Sequence, residues 1–168
     1  MKVGYRLMTV LLAALATAAG VSGTAPWQSA LAQPKDKGAV PRPVSTPSHQ
    51  VVIQISEDDA KLMNVALNNA ENLTKFYQDR GETVRIEIVA YGPGLAMMRS
   101  DVSPVKSRLQ QFASSLKNVS FSGCGNTLAT QSARENKELS LLPEAHLVPA
   151  GIARIVELEE QGWTYVRP

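Results

Sequence analysis

The stretch VSFSGCGNT, residues 119–127, decides the fold of this chain. A short apolar run ends at Gly123, the sulfur of Cys124 follows, and a helical pattern begins near Asn126. This order predicts that Cys124 lies at the C-terminal end of a strand and near the N-terminus of a helix. In open α/β sheets, ligands and reactive groups collect at that edge. Free amides and the helix dipole there favour a thiolate over a thiol.

On the N-terminal side of this stretch, strand patterns alternate with helix patterns. Val51–Ile55 is an almost continuous apolar run, which predicts a strand covered on both faces. Residues 56–59 match a capping box and predict that a helix begins at Ser56, with apolar positions recurring every three or four residues as far as Tyr77. Val84–Ala90 alternates polar with apolar residues, which predicts a strand at the edge of the sheet. Ser103 is predicted to cap the next helix.

The alternation continues on the C-terminal side. A helix is predicted from about Asn126 to Asn136, followed by a short strand at Ala145–Pro149. A last helix ends at Gly162, and residues 163–166 form a last strand. Strands that alternate with helices through short connections predict a parallel sheet with helices on both faces.

The N-terminus has the composition of a signal peptide. Lys2 and Arg6 precede an apolar run that is shorter than the ~20 residues of a membrane span. Ala30-Leu31-Ala32 fits a cleavage site, so residues 1–32 are predicted to be removed by a cut after Ala32. We therefore expect a periplasmic or secreted protein without a stable membrane span. An earlier cut and an uncleaved N-terminal anchor are the alternatives.

Residues 33–50 are predicted to be a disordered tether, because they are rich in Pro and Ser and lack apolar periodicity. Residues 51–168 have the length of one domain. Of the 17 Lys and Arg residues, five precede residue 51, whereas only one of the 15 acidic residues does. The domain therefore carries 12 basic and 14 acidic side chains. The net positive charge of the whole chain therefore comes from the residues before the domain, and nucleic-acid binding is not expected.

Several kinds of site are excluded by the residues that are present. There is neither a G-x-G-x-x-G nor a Walker A motif, so no dinucleotide or P-loop site is predicted. Two histidines and one cysteine are too few for a closed zinc site, and a C-x-x-C redox pair is impossible. His146, near the end of the next predicted strand, is a candidate base for Cys124. Its alternative role is that of a hydrogen-bonded residue at the start of a strand.

Four segments together resemble the DsrE/DsrF-like family of small α/β proteins. They are Phe121–Thr127, Val148–Ile152, Gln161–Pro168 and the loop Ala90–Gly94, and the resemblance covers essentially residues 51–168. The resemblance implies a flavodoxin-like three-layer sandwich with a mostly parallel five-stranded sheet. It also implies assembly into homo- or hetero-oligomers. In the better known members, a cysteine after the third strand accepts a sulfur atom as a persulfide and passes it to a partner protein.

Cys124 matches that position, and the local chemistry suits a carrier. The chain has one cysteine, so no second thiol within it can convert the persulfide into a disulfide. Backbone amides of Gly125, Asn126 and Thr127 are predicted to stabilise the thiolate. No metal ion or organic cofactor is required.

Other functions stay open at the level of sequence. The better known carriers are cytoplasmic, whereas this chain has an export signal, and an exposed thiol in an oxidising compartment forms mixed disulfides. Cys124 can instead pack as a small hydrophobe. The alternatives are therefore a small-ligand-binding module and a structural oligomeric subunit of the same fold, and whether the protein is an enzyme stays undecided.

Overall fold

Five strands connected by five helices make up residues 49–168, the part of the chain that the computed structural model describes. The strands are β1 (His49–Ile55), β2 (Val84–Ala90), β3 (Val119–Cys124), β4 (Ala145–Val148) and β5 (Thr164–Val166). The α-helices are α1 (Ala60–Asp79), α2 (Lys106–Ser115), α3 (Gly125–Glu135) and α4 (Gly151–Glu160), and a 3₁₀ helix spans Gly92–Met98. The predicted signal peptide and the tether up to residue 48 lie outside the described residues. Within residues 49–168, no helix combines the length and apolar character needed to cross a membrane.

All five strands are parallel, in the order β4-β3-β2-β1-β5. The chain steps from β1 through β4 in one direction and then returns to place β5 on the other side of β1. Because parallel crossovers are right-handed, this reversal puts α4 on the opposite face from α1 and α2. The predicted α/β class and the flavodoxin-like three-layer sandwich are confirmed, with a sheet that is wholly parallel.

A separate apolar core lies on each face of the sheet. The larger core packs strand residues such as Ile53 and Phe121 against α1 and α2. The smaller core consists of Val52, Val89, Ile155, Leu158 and Trp163, and it fixes α4 to the sheet. Burial of each large apolar side chain contributes about 1.5–3 kcal/mol. Ser122 is in register with Val89, so the end of β3 that carries Cys124 presents Ser122 to the α4 face.

The prediction that β2 is an edge strand is wrong, since β2 lies between β1 and β3. Its alternating pattern arises from Arg85 and Glu87. The Arg85 guanidinium stacks over the Trp163 ring, 4.9 Å from the centroid. Glu87 is only 5% exposed and is paired with Arg154 of α4. The polar residues of β2 are thus paired with side chains of neighbouring elements, and Glu87 is itself buried by its partner.

Several element boundaries differ from the predicted ones by a few residues, and those of β1, α1 and α2 have a visible local cause. β1 begins at His49, two residues early, because the His49 ring stacks on Tyr77 with centroids 3.9 Å apart. The N-cap of α1 is Asp59 and not Ser56, since the Asp59 carboxylate accepts the Lys61 N–H at 2.7 Å. At α2 the predicted cap is replaced by Val105, and the hydroxyl of Ser103 donates to the carbonyl of Met97.

Candidate functional site

Cys124 is both the last residue of β3 and the N-cap of α3. The chain passes directly from strand to helix at this residue, as the sequence predicted. Its Sγ therefore lies at the start of α3 and accepts a hydrogen bond from the Thr127 N–H at 3.4 Å. The residue is 5% exposed, so the sulfur is covered in this conformation.

The start of α4 also converges on Cys124. Gly151, the first residue of α4, packs directly against Cys124, and its backbone amide is one of the groups that lower the pKa of the thiol. A Cβ atom at Gly151 would lie 2.9 Å from the Cβ of Tyr91 and 3.2 Å from the Cβ of Cys124. Only glycine lets the helix approach this closely, so the position of α4 and its contact with the sulfur depend on the missing side chain.

These surroundings lower the pKa of the Cys124 thiol. Burial favours the neutral thiol and raises the pKa, but hydrogen bonds from the Thr127 side chain and from the amides of Gly151, Thr127 and Asn126 outweigh it. The N-termini of two helices thus act on one sulfur, and both favour a negative charge there. The arrangement stabilises a thiolate, which is the nucleophilic form of cysteine.

The Thr127 hydroxyl contacts the loop after β2. Its Oγ1 accepts the Gly92 N–H at 3.0 Å, at the start of the 3₁₀ helix. Because Oγ1 accepts this bond through a lone pair, its proton remains available, and the hydroxyl is one of the groups that lower the pKa of Cys124. Thr127 therefore links the loop after β2 to the sulfur, which the sequence pattern alone did not indicate.

The three residues predicted to stabilise the thiolate have different roles. The amide of Thr127 donates to Sγ, and its hydroxyl helps to lower the pKa of the thiol. Asn126 contributes its amide, which also donates to the Pro149 carbonyl at 3.1 Å. At Gly125, a Cβ atom would lie 3.2 Å from the carbonyl oxygen of Val148, so the glycine allows the end of β4 to approach.

His146 lies on β4 beside the strand that carries the cysteine. In the register of the two strands, His146 is opposite Ser122, whereas Val148 is opposite Cys124. Two residues along a strand correspond to about 6.6 Å, and the imidazole is exposed. The register therefore does not bring His146 to the sulfur, and the hydrogen bonds within residues 49–168 that reach Sγ come from other groups.

A buried polar cluster under α4 was not found from the sequence. The Glu87 carboxylate accepts a hydrogen bond from the Ser122 hydroxyl at 2.7 Å and two from the Arg154 guanidinium, each at 2.8 Å. Burial raises the pKa of Glu87, but the hydrogen bonds from Arg154 and Ser122 outweigh it and leave the pKa below its ordinary value. The carboxylate is therefore ionised at neutral pH.

α3 is held to the domain by polar contacts. None of its own residues is buried. Gln131 donates to the Gly92 carbonyl at 3.1 Å, and Arg99 donates to Glu135 at 2.8 Å. A groove of about 500 Å³ lies between α3 and the 3₁₀ helix, and Arg134 is among the residues that line it. Within residues 49–168, no group of three or more His, Cys, Asp or Glu residues is placed to hold a metal ion.

Comparison with known proteins identifies a relative of this chain. No family model and no curated protein match it. A solved structure, that of the protein of unknown function MTH1491 from Methanobacterium thermoautotrophicum, superposes with a TM-score of 0.61. The two sequences are 32% identical over an alignment that covers 71% of this chain and 99% of MTH1491. This identity over nearly the whole of the solved protein shows that the chain belongs to the same family as MTH1491.

Proposed function

We propose that the protein is a sulfur carrier of the DsrE/DsrF-like type, in which Cys124 accepts a sulfur atom as a persulfide and passes it to a partner. One observation carries the proposal. The N-termini of α3 and α4 converge on Sγ and lower the pKa of the thiol. A purely structural cysteine needs no such stabilisation of its charged form, because a buried free cysteine packs as a neutral hydrophobe.

The transfer is balanced without an added oxidant. The Cys124 thiolate attacks the outer sulfur of a sulfane donor such as thiosulfate, and a sulfur–sulfur bond forms. The bond between the two donor sulfurs breaks, and its electron pair leaves with sulfite. In the second step an acceptor thiolate attacks the outer sulfur of the persulfide, and the Cys124 thiolate is the leaving group. The amides that stabilise the free thiolate stabilise the leaving group as well.

Access to the sulfur requires a movement, because Cys124 is 5% exposed. α3 is the element suited to move. It buries no side chain of its own, and water can replace the polar contacts that hold it. A transient displacement of α3 would uncover Sγ while both apolar cores stay closed, and its return would restore the amides that stabilise the thiolate.

The proposal includes the setting of the protein. An exported carrier acts in the periplasm or outside the cell, with a donor and an acceptor of sulfur in the same compartment. It assembles as a homo- or hetero-oligomer. The apolar side chains of Ile152 and Val156 on the outer face of α4 support an oligomer, since they are about half exposed.

The burial of Cys124 favours a second candidate, a ligand-binding or structural subunit of the same fold without thiol chemistry. In its ligand-binding form, the groove beside α3 is the binding site. The side chains of Thr130 and Arg134 line this groove together with Pro93, so they supply a hydroxyl and a cation for a small anionic ligand.

Intact mass and thiol titration decide between the two. The reduced protein and its Cys124→Ser variant are incubated with thiosulfate or polysulfide and weighed, and the alkylation rate of the thiol is measured against pH. A carrier gains the mass of one sulfur atom only when Cys124 is present, and its thiol has an apparent pKa below about 7.5. A slow thiol with an ordinary pKa and no sulfur adduct would rule the carrier out. Ligand-dependent stabilisation that survives Cys124→Ser would support the binding module.

A further inference from the structure

The buried carboxylate of Glu87 contacts both the strand that ends at the sulfur, β3, and a helix that begins beside it, α4. Glu87 lies in the centre of the sheet on β2. It accepts the Ser122 hydroxyl from β3 and both guanidinium nitrogens, Nε and Nη2, of Arg154 from α4. Ser122 is two residues before Cys124, and Arg154 is three residues after Gly151. The carboxylate therefore ties together the strand that ends in the thiol and the helix that begins at it.

The ion pair between Glu87 and Arg154 fixes the first turn of α4. Three residues of an α-helix span about 4.5 Å, so Arg154 lies less than one turn from the Gly151 amide. Its bidentate geometry fixes both the distance and the rotation of this turn relative to β2. The other attachments of α4 to the sheet are the apolar contacts of Ile155 and Leu158, which lie farther from the N-terminus of the helix. Apolar contacts are not directional and leave the rotation of the first turn less well defined.

The contact at the sulfur tolerates little displacement. The space at Gly151 is so narrow that a Cβ would lie 2.9 Å from the Cβ of Tyr91. Gly151 and Cys124 are therefore packed closely, and a shift of α4 away from the sheet would carry the Gly151 amide away from Sγ. Stability alone is a weak reason to retain a buried ion pair, because its desolvation cost offsets most of its attraction. A role in positioning α4 accounts for the placement of the ion pair between Glu87 and Arg154.

We propose that Glu87 and Arg154 are positioning residues, which hold the first turn of α4 against Cys124 and so keep the Gly151 amide beside the sulfur. The inference rests on the proposed function only in that Cys124 acts there as a thiolate. It concerns the geometry around the thiol and does not depend on which sulfur donor or acceptor is used.

The test is the pH profile of Cys124 alkylation by a small reagent in the full-length Glu87→Gln protein. Glutamine keeps the shape of the side chain but loses the charge and one of the oxygens that bind Arg154. If the pair positions the amide, the apparent pKa of the thiol rises by about one unit, and the alkylation rate well below that pKa falls about tenfold. A purely electrostatic role predicts the opposite sign, because removing the negative charge leaves Arg154 unneutralised and would lower the pKa of the thiol.

Glu157→Gln is the matched control. It makes the same chemical change beside the same arginine, but Glu157 is exposed and its oxygen lies 3.7 Å from Arg154 on the solvent side. The pKa of the thiol is expected to be unchanged in this variant. Arg154→Lys is the second test, because lysine keeps the charge in place without the bidentate geometry. It is expected to raise the pKa of the thiol by less than Glu87→Gln does.

The outcomes separate this inference from the carrier function. A thiol pKa that is unchanged or lowered in Glu87→Gln overturns the positioning role, whatever the wild-type protein does with thiosulfate. If Glu87→Gln does not fold, Arg154→Lys decides, and an unchanged pKa in that variant overturns the inference. A raised pKa in a protein that forms no persulfide supports the positioning role and refutes the carrier function.

Discussion

Replacement of Thr127 by valine tests the hydrogen-bonded surroundings of the sulfur directly. Valine has nearly the same shape as threonine, so the variant removes the hydroxyl and leaves the backbone amides of α3 and α4 in place. The hydroxyl is one of the groups that lower the pKa of Cys124, and it is also the acceptor of the Gly92 N–H. We expect the pKa of the thiol to rise in the Thr127→Val protein.

The size of the change follows from the kind of bond that is lost. A hydrogen bond to a charged group contributes about 1.5–3 kcal/mol. Bonds to sulfur are long, as the 3.4 Å between the Thr127 nitrogen and Sγ illustrates, so the lower end of this range applies. Since one pKa unit corresponds to about 1.4 kcal/mol, the expected rise is about one unit. The lost acceptor of the Gly92 amide costs about a further 1 kcal/mol of folding stability.

Thr130→Val is the matched control on the same helix. The Thr130 hydroxyl donates to the carbonyl of Asn126 at 2.8 Å, one turn away from the sulfur. The assay is the alkylation rate as a function of pH, with thermal unfolding as a check of the fold. Equal thiol pKa values in the two variants and in the wild-type protein would refute the account of the lowered pKa given above.

Three further predictions concern the fold and the neighbouring groups. A Cβ at Gly94 would lie 2.5 Å from the backbone carbonyl oxygen of Ile55, and neither atom can move without a shift of the main chain. Gly94→Ala should therefore destabilise the fold by about 1–3 kcal/mol. An unchanged thermal midpoint would contradict this. His146→Ala should leave the alkylation rate of Cys124 at neutral pH unchanged, because the strand register places His146 opposite Ser122 and not opposite Cys124. A severalfold lower alkylation rate in this variant would support His146 as a base. The lowered pKa of Glu87 means that its bonds with Arg154 stabilise the fold fully above the ordinary value of 4.5 and lose this effect as the pH falls through the lower folded value. Urea midpoints measured from neutral pH to acid should therefore fall less in Glu87→Gln than in the wild-type protein.

The strand and helix order was predictable because it depends on local patterns. The passage from strand to helix at Cys124 needed only the apolar run, the glycine and the polar residues that follow. The placement of β2 was not predictable in this way. An alternating pattern has the same appearance whether Glu87 faces water or an arginine 67 residues away in the chain.

The candidate site was predictable in part for the same reason. The contribution of the Thr127 amide follows from its position at the start of a helix. The Gly151 amide comes from another crossover, and its approach depends on the space left by Tyr91 and on the anchoring of α4 to the sheet. Neither the space left by Tyr91 nor the attachment of α4 to the sheet can be predicted from a short segment of sequence. A search of the C-terminal ends of neighbouring parallel strands would have suggested Gly151, since these ends meet at one edge.

The polar attachment of α3 has a consequence for the kinetics of the protein. Segments that bury little apolar surface open at a small fraction of the free energy of global unfolding, and their amides exchange hydrogen correspondingly fast. α3 buries no side chain, so it belongs to this class, whereas the strand that ends at Cys124 is part of the core. The rate at which the sulfur meets solvent is then governed by a local equilibrium that ionic strength and a docking partner can shift. The core that keeps the thiol in place is left undisturbed.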